Sequence, residues 1–529
     1  MKTNSSSFVG SLLTDLYEVT MAYAYFQAGR HEEKAVFDLF FRKNPFGGEF
    51  TVCAGLSEAL AFLDNYTWSD EDIAYVADNI PQCTDSFKQW LSGLDCSQVK
   101  VYAVREGDLV FPRVPLMRVE GPLGICQLLE STLLNLTGFP SLLATYAARL
   151  KLAAGERKSI IEFGLRRAQG PDGAMSAAKY SYIGGVDGTS NVLAGKLFDM
   201  PISGTQAHAY VQSFQGMEDI KVAELDDSDG KSHDFISLVL ELRKQLQYED
   251  THDGELASFI AYAQAFPNGF LALVDTYDTL RSGVPNAICV ALALAQLGYT
   301  PLGIRLDSGD LAHLSNRARS MMQRAAEVTG IDAGDQKIVA SNEIDEETLR
   351  SLDRQGHDVD IFGIGTRLVT CKDDPSLGVV YKLVEIRHEP RIKLSEETVK
   401  TTIPGRKLAY RLYGSEGHPL ADLMIGDDED PPQPGKRVLC CHPYERARRT
   451  YITPKRVEPV HHLVWDGTSS GKMPTLDDSR ELCRNQLGHL REDHLRRLNP
   501  TPYKVSLSEG LFAFMHELWE KTAAVGELG

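Results

Sequence analysis

With 529 residues the chain exceeds one ordinary core, so two or three domains are expected. An apolar content of 43%, a charged content of 24% and the lack of any apolar run of membrane length are those of a soluble globular protein, not a membrane protein. The formal charge of −18 argues against nucleic acid and anionic membranes as partners, so a phosphate-bearing substrate would need local cations.

Residues 1–7 are polar, and the apolar residues after them are broken by Asp15 and Glu18, so no signal peptide is readable and the cytosol is expected. Nine cysteines without a repeating spacing point to reduced thiols. Cys440, Cys441 and His442, with His461 and His462 beyond them, lack the spacing of a zinc site.

Thr14 opens a helix on which Leu16, Val19, Tyr23 and Phe26 share a face and which Gly29 ends; Tyr17 shares its first turn with Asp15. Residues 35–41 read as a strand, 44–48 as a turn and 50–54 as a second strand, a hairpin-like unit. A helical stretch follows, then short strands at 99–104, 109–111 and 116–119, so 1–150 is expected to be an α+β part. Residues 127–152 read as helix with a break at Gly138 to Pro140.

From 151 to 373 strands alternate with helices, with strands expected at 159–163, 200–203, 269–274, 302–306, 337–340 and 360–364. Crossover helices fit between most of them, so the strands should be parallel, in a barrel-like or doubly wound sheet. Acidic, glycine-containing runs at 226–230 and 247–255 read as a solvated insertion. After Asp373, β-like segments return at 378–386, 393–394 and 407–412. The economical reading joins 374–425 to 1–150 as one domain. Gly426 to Gly435, rich in charge and proline, reads as a linker, and 426–529 as a C-terminal region with helices at 477–498 and 506–523.

Chemistry concentrates at Pro301 to Leu311. Leu302 to Leu306 reads as a buried strand interrupted by Arg305, and the helical period from Leu311 runs to a cap at Gly330, with Ser308 or Asp310 as N-cap. Two carboxylates and a cation therefore gather where a strand ends and a helix begins; a cap plus a buried ion pair is the alternative. The other strand ends are polar too: Phe163 to Gln169 with Arg166 and Arg167, Gly204 to His208 with Thr205, Asp275 to Asp278, Ser341 with Asn342, and Gly363 to Thr366. Gly363 and Gly365 would let backbone amides approach an anion, which makes phosphate the natural ligand. Leu368 stands where a dinucleotide fingerprint needs its third glycine, and Gly467 to Lys472 is too short for a P-loop. Asp275, Asp278, Asp307 and Asp310 can offer Mg²⁺ one or two carboxylates. His208 is a candidate for catalysis, with a satisfied structural histidine as the alternative.

Five of these stretches together, Leu13 to Met21, Glu162 to Gln169, Gly204 to His208, Arg305 to Asp310 and Gly363 to Thr366, resemble the nicotinate phosphoribosyltransferase family over nearly the whole chain. The resemblance implies an irregular α/β barrel, a smaller α/β sandwich domain from the N-terminal and post-barrel segments, a helical C-terminal tail, and a homodimer with shared active sites. It implies the joining of nicotinate to phosphoribosyl pyrophosphate, giving nicotinate mononucleotide and pyrophosphate with coupled ATP hydrolysis, the first step from nicotinate to NAD. Mg²⁺, or Mn²⁺ in its place, is the implied cofactor, with Asp307 and Asp310 as ligands. Asp275 and Asp307 would face an oxocarbenium-like state, and Arg305, Ser341, Asn342, Gly363, Gly365 and Thr366 would hold phosphate groups. Thr205 would bind substrate, Phe163 and the other subunit's Tyr17 would stack on the nicotinate ring, and Arg166 or Arg167 would meet its carboxylate. His208 would be phosphorylated transiently by ATP. A nicotinamide-using relative would carry Asp before Phe-Gly, where Glu162 stands here. A silent nucleotide-sensing homologue would be expected to lose His208, Asp307 or the 363–366 loop, and all are present.

Overall fold

The alternation read between 159 and 364 builds a six-stranded parallel sheet in the order Leu271–Leu273, Gly303–Leu306, Lys337–Ser341, Ile361–Ile364, Ser159–Glu162, Gly188–Thr189. The computed structural model describes residues 8–395, 397–471 and 473–523; the polar start at 1–7 and Lys472 of the P-loop-like run lie outside the described residues. The fold is mixed α/β with several sheets and divides into two compact units. One, here the antiparallel unit, comprises 1–146, 179–185 and 371–529; the other, the parallel unit, comprises 147–178 and 186–370.

In the parallel unit, Leu273 pairs with Arg305, Arg305 with Val339 and Val339 with Ile361, so successive strand ends lie side by side. Gly303 makes the close approach possible: at φ +140°, a Cβ there would lie 1.9 Å from the Lys337 carbonyl oxygen. The helix Val284–Gln296 is buried along almost its whole length, which matches its apolar sequence. Asp310 caps the helix Leu311–Thr329, accepting from His313 N at 3.0 Å, and Gly330 ends it at φ +72°. The strand expected at 200–203 is a single bridge, Thr189 to Ile202, because Pro201 has no N–H for a ladder. The first acidic run is the turn of a hairpin, Glu224–Asp226 with Ser232–Asp234, in which the Asp227 carboxylate accepts from the Asp229 and Lys231 amides.

In the antiparallel unit, Val379–Ile386 does pair with Lys34–Phe41, in a sheet that continues through Met117–Pro122 and Lys100–Ala103. Its far edge is His462–Asp466, a strand that the polar C-terminal sequence concealed. Lys407–Tyr413 is the strand expected there and lies in this same unit, but not in the sheet of Lys34–Phe41. It joins Pro419–Gly426, Arg456–Pro459, Val438–Cys441, Arg449–Ile452 and Val505–Leu507 in a separate sheet over a core of Leu412, Leu423, Ile425 and Ile452. Gly426 to Gly435 is thus a loop between two strands of one sheet, where charge and proline suit an exposed connection. The helix Glu130–Ala154 runs through Pro140 without the expected break. The Leu136 carbonyl, deprived of its helical donor by Pro140, abuts Gly55, where a Cβ would come within 1.8 Å of it. The helix expected at 477–498 stops at Leu490, and the 506–523 segment begins as strand before Ser508 caps Glu509–Thr522.

Candidate active site

The groups that gather at the strand ends are held by the sheet register. Arg305 sends Nε to Ser341 Oγ at 2.8 Å and Nη2 to Asp307 Oδ1 at 3.1 Å, and the Ser341 hydroxyl donates to the same Asp307 oxygen. Its guanidinium lies over the Phe163 ring, 5.3 Å from the centroid, and Nη1 has no hydrogen-bond partner among the described residues. Asp275, with its side chain 3% exposed, accepts at Oδ2 from Ser308 Oγ at 2.5 Å and the Asp307 amide at 3.3 Å; its Oδ1 is buried with no hydrogen-bond partner among the described residues. His208 completes the cluster. Its Nδ1 lies 3.1 Å from Thr276 Oγ1, and its Nε2 lies 3.9 Å from Asp275 Oδ1 and 3.8 Å from Asp307 Oδ2.

A second set of contacts fixes the aromatic wall. Glu162 is buried, which pushes its carboxyl above the ordinary range despite hydrogen bonds from Thr189 Oγ1 at 2.6 Å and the Gly164 amide. These bonds pin the turn that carries Phe163. Across it, a Cβ at Gly363 would lie 2.5 Å from the Phe163 ring, so the seat of that ring alone requires a glycine. Gly365 lies against the Phe163 carbonyl, and Thr366 begins a helix of five residues. The Thr205 hydroxyl donates to the Leu271 carbonyl at 2.6 Å and lies 2.8 Å from Gln206 Oε1, while the Gln206 amide nitrogen is buried with no hydrogen-bond partner among the described residues. Asn342 follows Ser341 at φ +129° on an exposed turn.

The structure brings Phe163, His208, Asp275, Arg305, Asp307 and Ser341 together. Arg166 and Arg167 are exposed on a one-turn helix with no ion-pair partner among the described residues. Tyr17 belongs to the antiparallel unit, 45% exposed, and partial burial with the nearby Glu130 charge pushes its hydroxyl up to about 12. Sequence reasoning gave no role to Thr276, which orients His208, or to Ser308 beyond a possible cap, although both lie inside motifs it singled out. Among the described residues no three His, Cys, Asp or Glu side chains are grouped to hold a metal. Mg²⁺ needs only one or two carboxylates beside water and substrate oxygens. The orphaned Asp275 Oδ1 and the partly exposed Asp307 Oδ2, each within 4 Å of His208 Nε2, fit that requirement. Asp310 and Asp278 are instead engaged as caps, the latter accepting from Arg281 N at 2.8 Å.

A parallel α/β sheet with carboxylates, an arginine and a histidine converging at its strand ends defines an enzyme of the class that handles phosphorylated substrates at that edge. Comparison with known proteins specifies it further. Models of the nicotinate phosphoribosyltransferase (NAPRTase) N-terminal domain, the family itself and its C-terminal domain match residues 12–137, 158–428 and 406–515. A nicotinate phosphoribosyltransferase of Dictyostelium discoideum is 53% identical over 99% of this chain and 90% of the relative, and that of Homo sapiens 45% identical over 96% of each. The crystal structure of human nicotinic acid phosphoribosyltransferase superposes with a TM-score of 0.85 at 42% identity, covering 96% of this chain and 100% of that one. The chain belongs to the nicotinate phosphoribosyltransferase family.

Proposed function

We propose that the cluster around His208 joins nicotinate to phosphoribosyl pyrophosphate and couples that transfer to ATP. In the transfer, the pyridine nitrogen attacks the ribose anomeric carbon, the bond to the pyrophosphate oxygen breaks, and pyrophosphate leaves with the electron pair. Positive charge builds on the ribose in between, and the carboxylates of Asp275 and Asp307, already fixed by Ser308, Ser341 and Arg305, stabilise it without reorganising. Arg305 offers its free Nη1 to a phosphate oxygen, while Phe163 supplies a stacking face for the pyridine. Asp275 and Asp307 would hold Mg²⁺, which neutralises charge on the pyrophosphate. Ser341, Asn342 and the 363–366 loop are assigned to the phosphate groups, Thr205 to substrate, and Arg166 or Arg167 to the nicotinate carboxylate.

His208 carries the coupling. If Nδ1 donates its proton to Thr276, the Nε2 lone pair is free to attack the γ-phosphate of ATP, forming a P–N bond as ADP leaves, with two carboxylates beside the cation that results. Hydrolysis then returns phosphate and neutral histidine. The single observation behind this reading is the position of His208 Nε2, under 4 Å from both Asp275 and Asp307 yet 40% exposed.

Finer points of architecture belong to the same proposal. The Thr189 to Ile202 bridge and the Thr205 to Leu271 bond support closing the parallel sheet into an irregular barrel through 200–205, with the antiparallel sheets as a sandwich. Exposure of Leu16 and Tyr17 supports a homodimer in which Tyr17 serves the other subunit's nicotinate. Nine free cysteines support a reducing, cytosolic setting. No helix among the described residues is long and apolar enough to cross a membrane. The test is an assay of phosphoribosyl transfer with nicotinate and nicotinamide in parallel, with and without ATP. Nicotinate should be preferred and ATP should stimulate. His208→Ala should keep slow ATP-independent transfer and lose the stimulation; a surviving ATP response removes the phosphohistidine from the mechanism.

A further inference from the structure

A cavity of 620 Å³ lies in the antiparallel unit beside the Val438–Cys441 and Val505–Leu507 strands, and no residue assigned to transfer lines it. Its lining carries five cations, Arg113, Arg448, Arg449, Arg491 and Lys504, against one carboxylate, Glu49. In a chain of net charge −18, such a local excess of positive charge attracts anions to this cavity. Arg448 and Arg491 are tied to Glu445 at 2.9 Å and Asp493 at 3.0 Å, carboxylates outside the lining. Arg113, Arg449 and Lys504 have no ion-pair partner among the described residues.

Arg113 is held in an unusual way. Its backbone sits at φ +76°, anchored by its amide to the Phe41 carbonyl at 2.8 Å, and its Nε is buried with no hydrogen-bond partner among the described residues. The Tyr444 ring, 5.2 Å away, braces the guanidinium. His442 Nδ1 accepts from the amides of Tyr444 at 3.3 Å and Glu445 at 3.1 Å, which leaves the proton on Nε2, 3.8 Å from Glu445 Oε1. Leu420, Pro502 and Val505 give the cavity an apolar patch, beside the hydroxyls of Thr450, Thr501 and Ser506. Cations without an ion-pair partner next to an apolar patch, in a volume typical of small-molecule sites, suit a molecule that is part polyanion and part uncharged body.

We propose that this cavity binds a phosphate-bearing metabolite of mononucleotide size, its phosphate on Arg113, Arg449 and Lys504 and its body against the apolar patch. The test uses the full-length protein and equilibrium dialysis with ADP as the probe. Arg449 and Lys504 are exposed, so Arg449→Glu combined with Lys504→Glu should leave the fold and the basal transfer rate unchanged. Wild-type protein should show a class of ADP sites that this double variant weakens by about tenfold or more and that Arg305→Ala leaves intact. Inorganic phosphate should compete at that class and adenosine should not. Binding curves that superimpose for wild type and double variant, or adenosine competing as well as phosphate, would overturn the assignment. Arginine-directed modification of the wild-type protein with peptide mapping is a second reading: ADP should protect Arg449, and unchanged labelling of Arg449 would also overturn it.

Discussion

Arg305 with Asp307 and Arg411 with Asp422 use the same pair of residue types in the two units, and they are finished differently. Arg411 is buried and meets both Asp422 oxygens at 2.9 and 3.0 Å, Asp108 at 3.1 Å and the Leu109 carbonyl at 2.7 Å. Tyr503 supplies a further donor to Asp422 at 2.9 Å. In the parallel unit Arg305 keeps Nη1 free, Asp275 keeps a buried oxygen unpaired and Asp307 is 31% exposed. A saturated ion cluster has nothing left to offer a ligand, and its function is to join the strands that carry it. An unsaturated one retains bonding capacity for something absent from the protein, and it costs stability to keep.

Breaking the saturated cluster should give the largest effect. Arg411→Met leaves Asp108 and Asp422 buried without their cation and should lower stability by about 3–5 kcal/mol in urea unfolding; a loss under about 1 kcal/mol would show that the cluster is not structural. Asp307→Asn should do the reverse, cutting turnover by ~10²–10³-fold while changing unfolding little. Near-normal turnover in that variant would move the chemistry elsewhere.

Glu255 sharpens the comparison. Fully buried, it accepts from Ser282 at 2.5 Å and Asn286 at 3.1 Å, and burial, opposed by these bonds and aided by the charges of Asp275 and Asp278, pushes its carboxyl up to about 7. The folded state therefore binds a proton that the unfolded chain releases near 4.5. Its contribution is fully present below about pH 4.5 and is lost as pH rises through about 7, on the order of 3 kcal/mol at most. Glu255→Gln should flatten the stability profile across that window, and an unchanged slope would show that Glu255 is ionised throughout. The smallest expected effect is Gly363→Ala. A methyl 2.5 Å from the Phe163 ring should displace it, raising KM for nicotinate several-fold at a cost of about 1–3 kcal/mol. Unchanged KM would separate Phe163 from nicotinate.

The parts of this arrangement legible in the sequence are those with local causes. Asp310 as a cap and Gly330 as a left-handed stop follow from neighbours a few residues away, and both stand where the pattern placed them. The parallel alternation was readable because fully buried strands are almost uniformly apolar. By contrast, Arg449–Ile452 and His462–Asp466 each bury one large side chain, Ile452 or Trp465, and leave apolar or aromatic residues such as Leu463 and Tyr451 exposed, so no alternation marks them as strands within a charged stretch. The saturation of Arg411 and the freedom of Arg305 are not local at all. They depend on Asp108 and Leu109, some three hundred residues before Arg411, and on Ser341, thirty-six residues after Arg305.

The lateral pairing of Asp275, Asp307 and Ser341 has a consequence for assembly. Each stands at the end of a different strand, and each strand reaches its neighbour only after a helical crossover, so the three meet late, once slow non-local pairing is complete. A small molecule touching all three acts as a clasp across the strand ends, favouring the finished sheet over every partly zipped one by mass action. Resistance to proteolysis in the presence of such a molecule would thus report on closure of the sheet as directly as any catalytic rate.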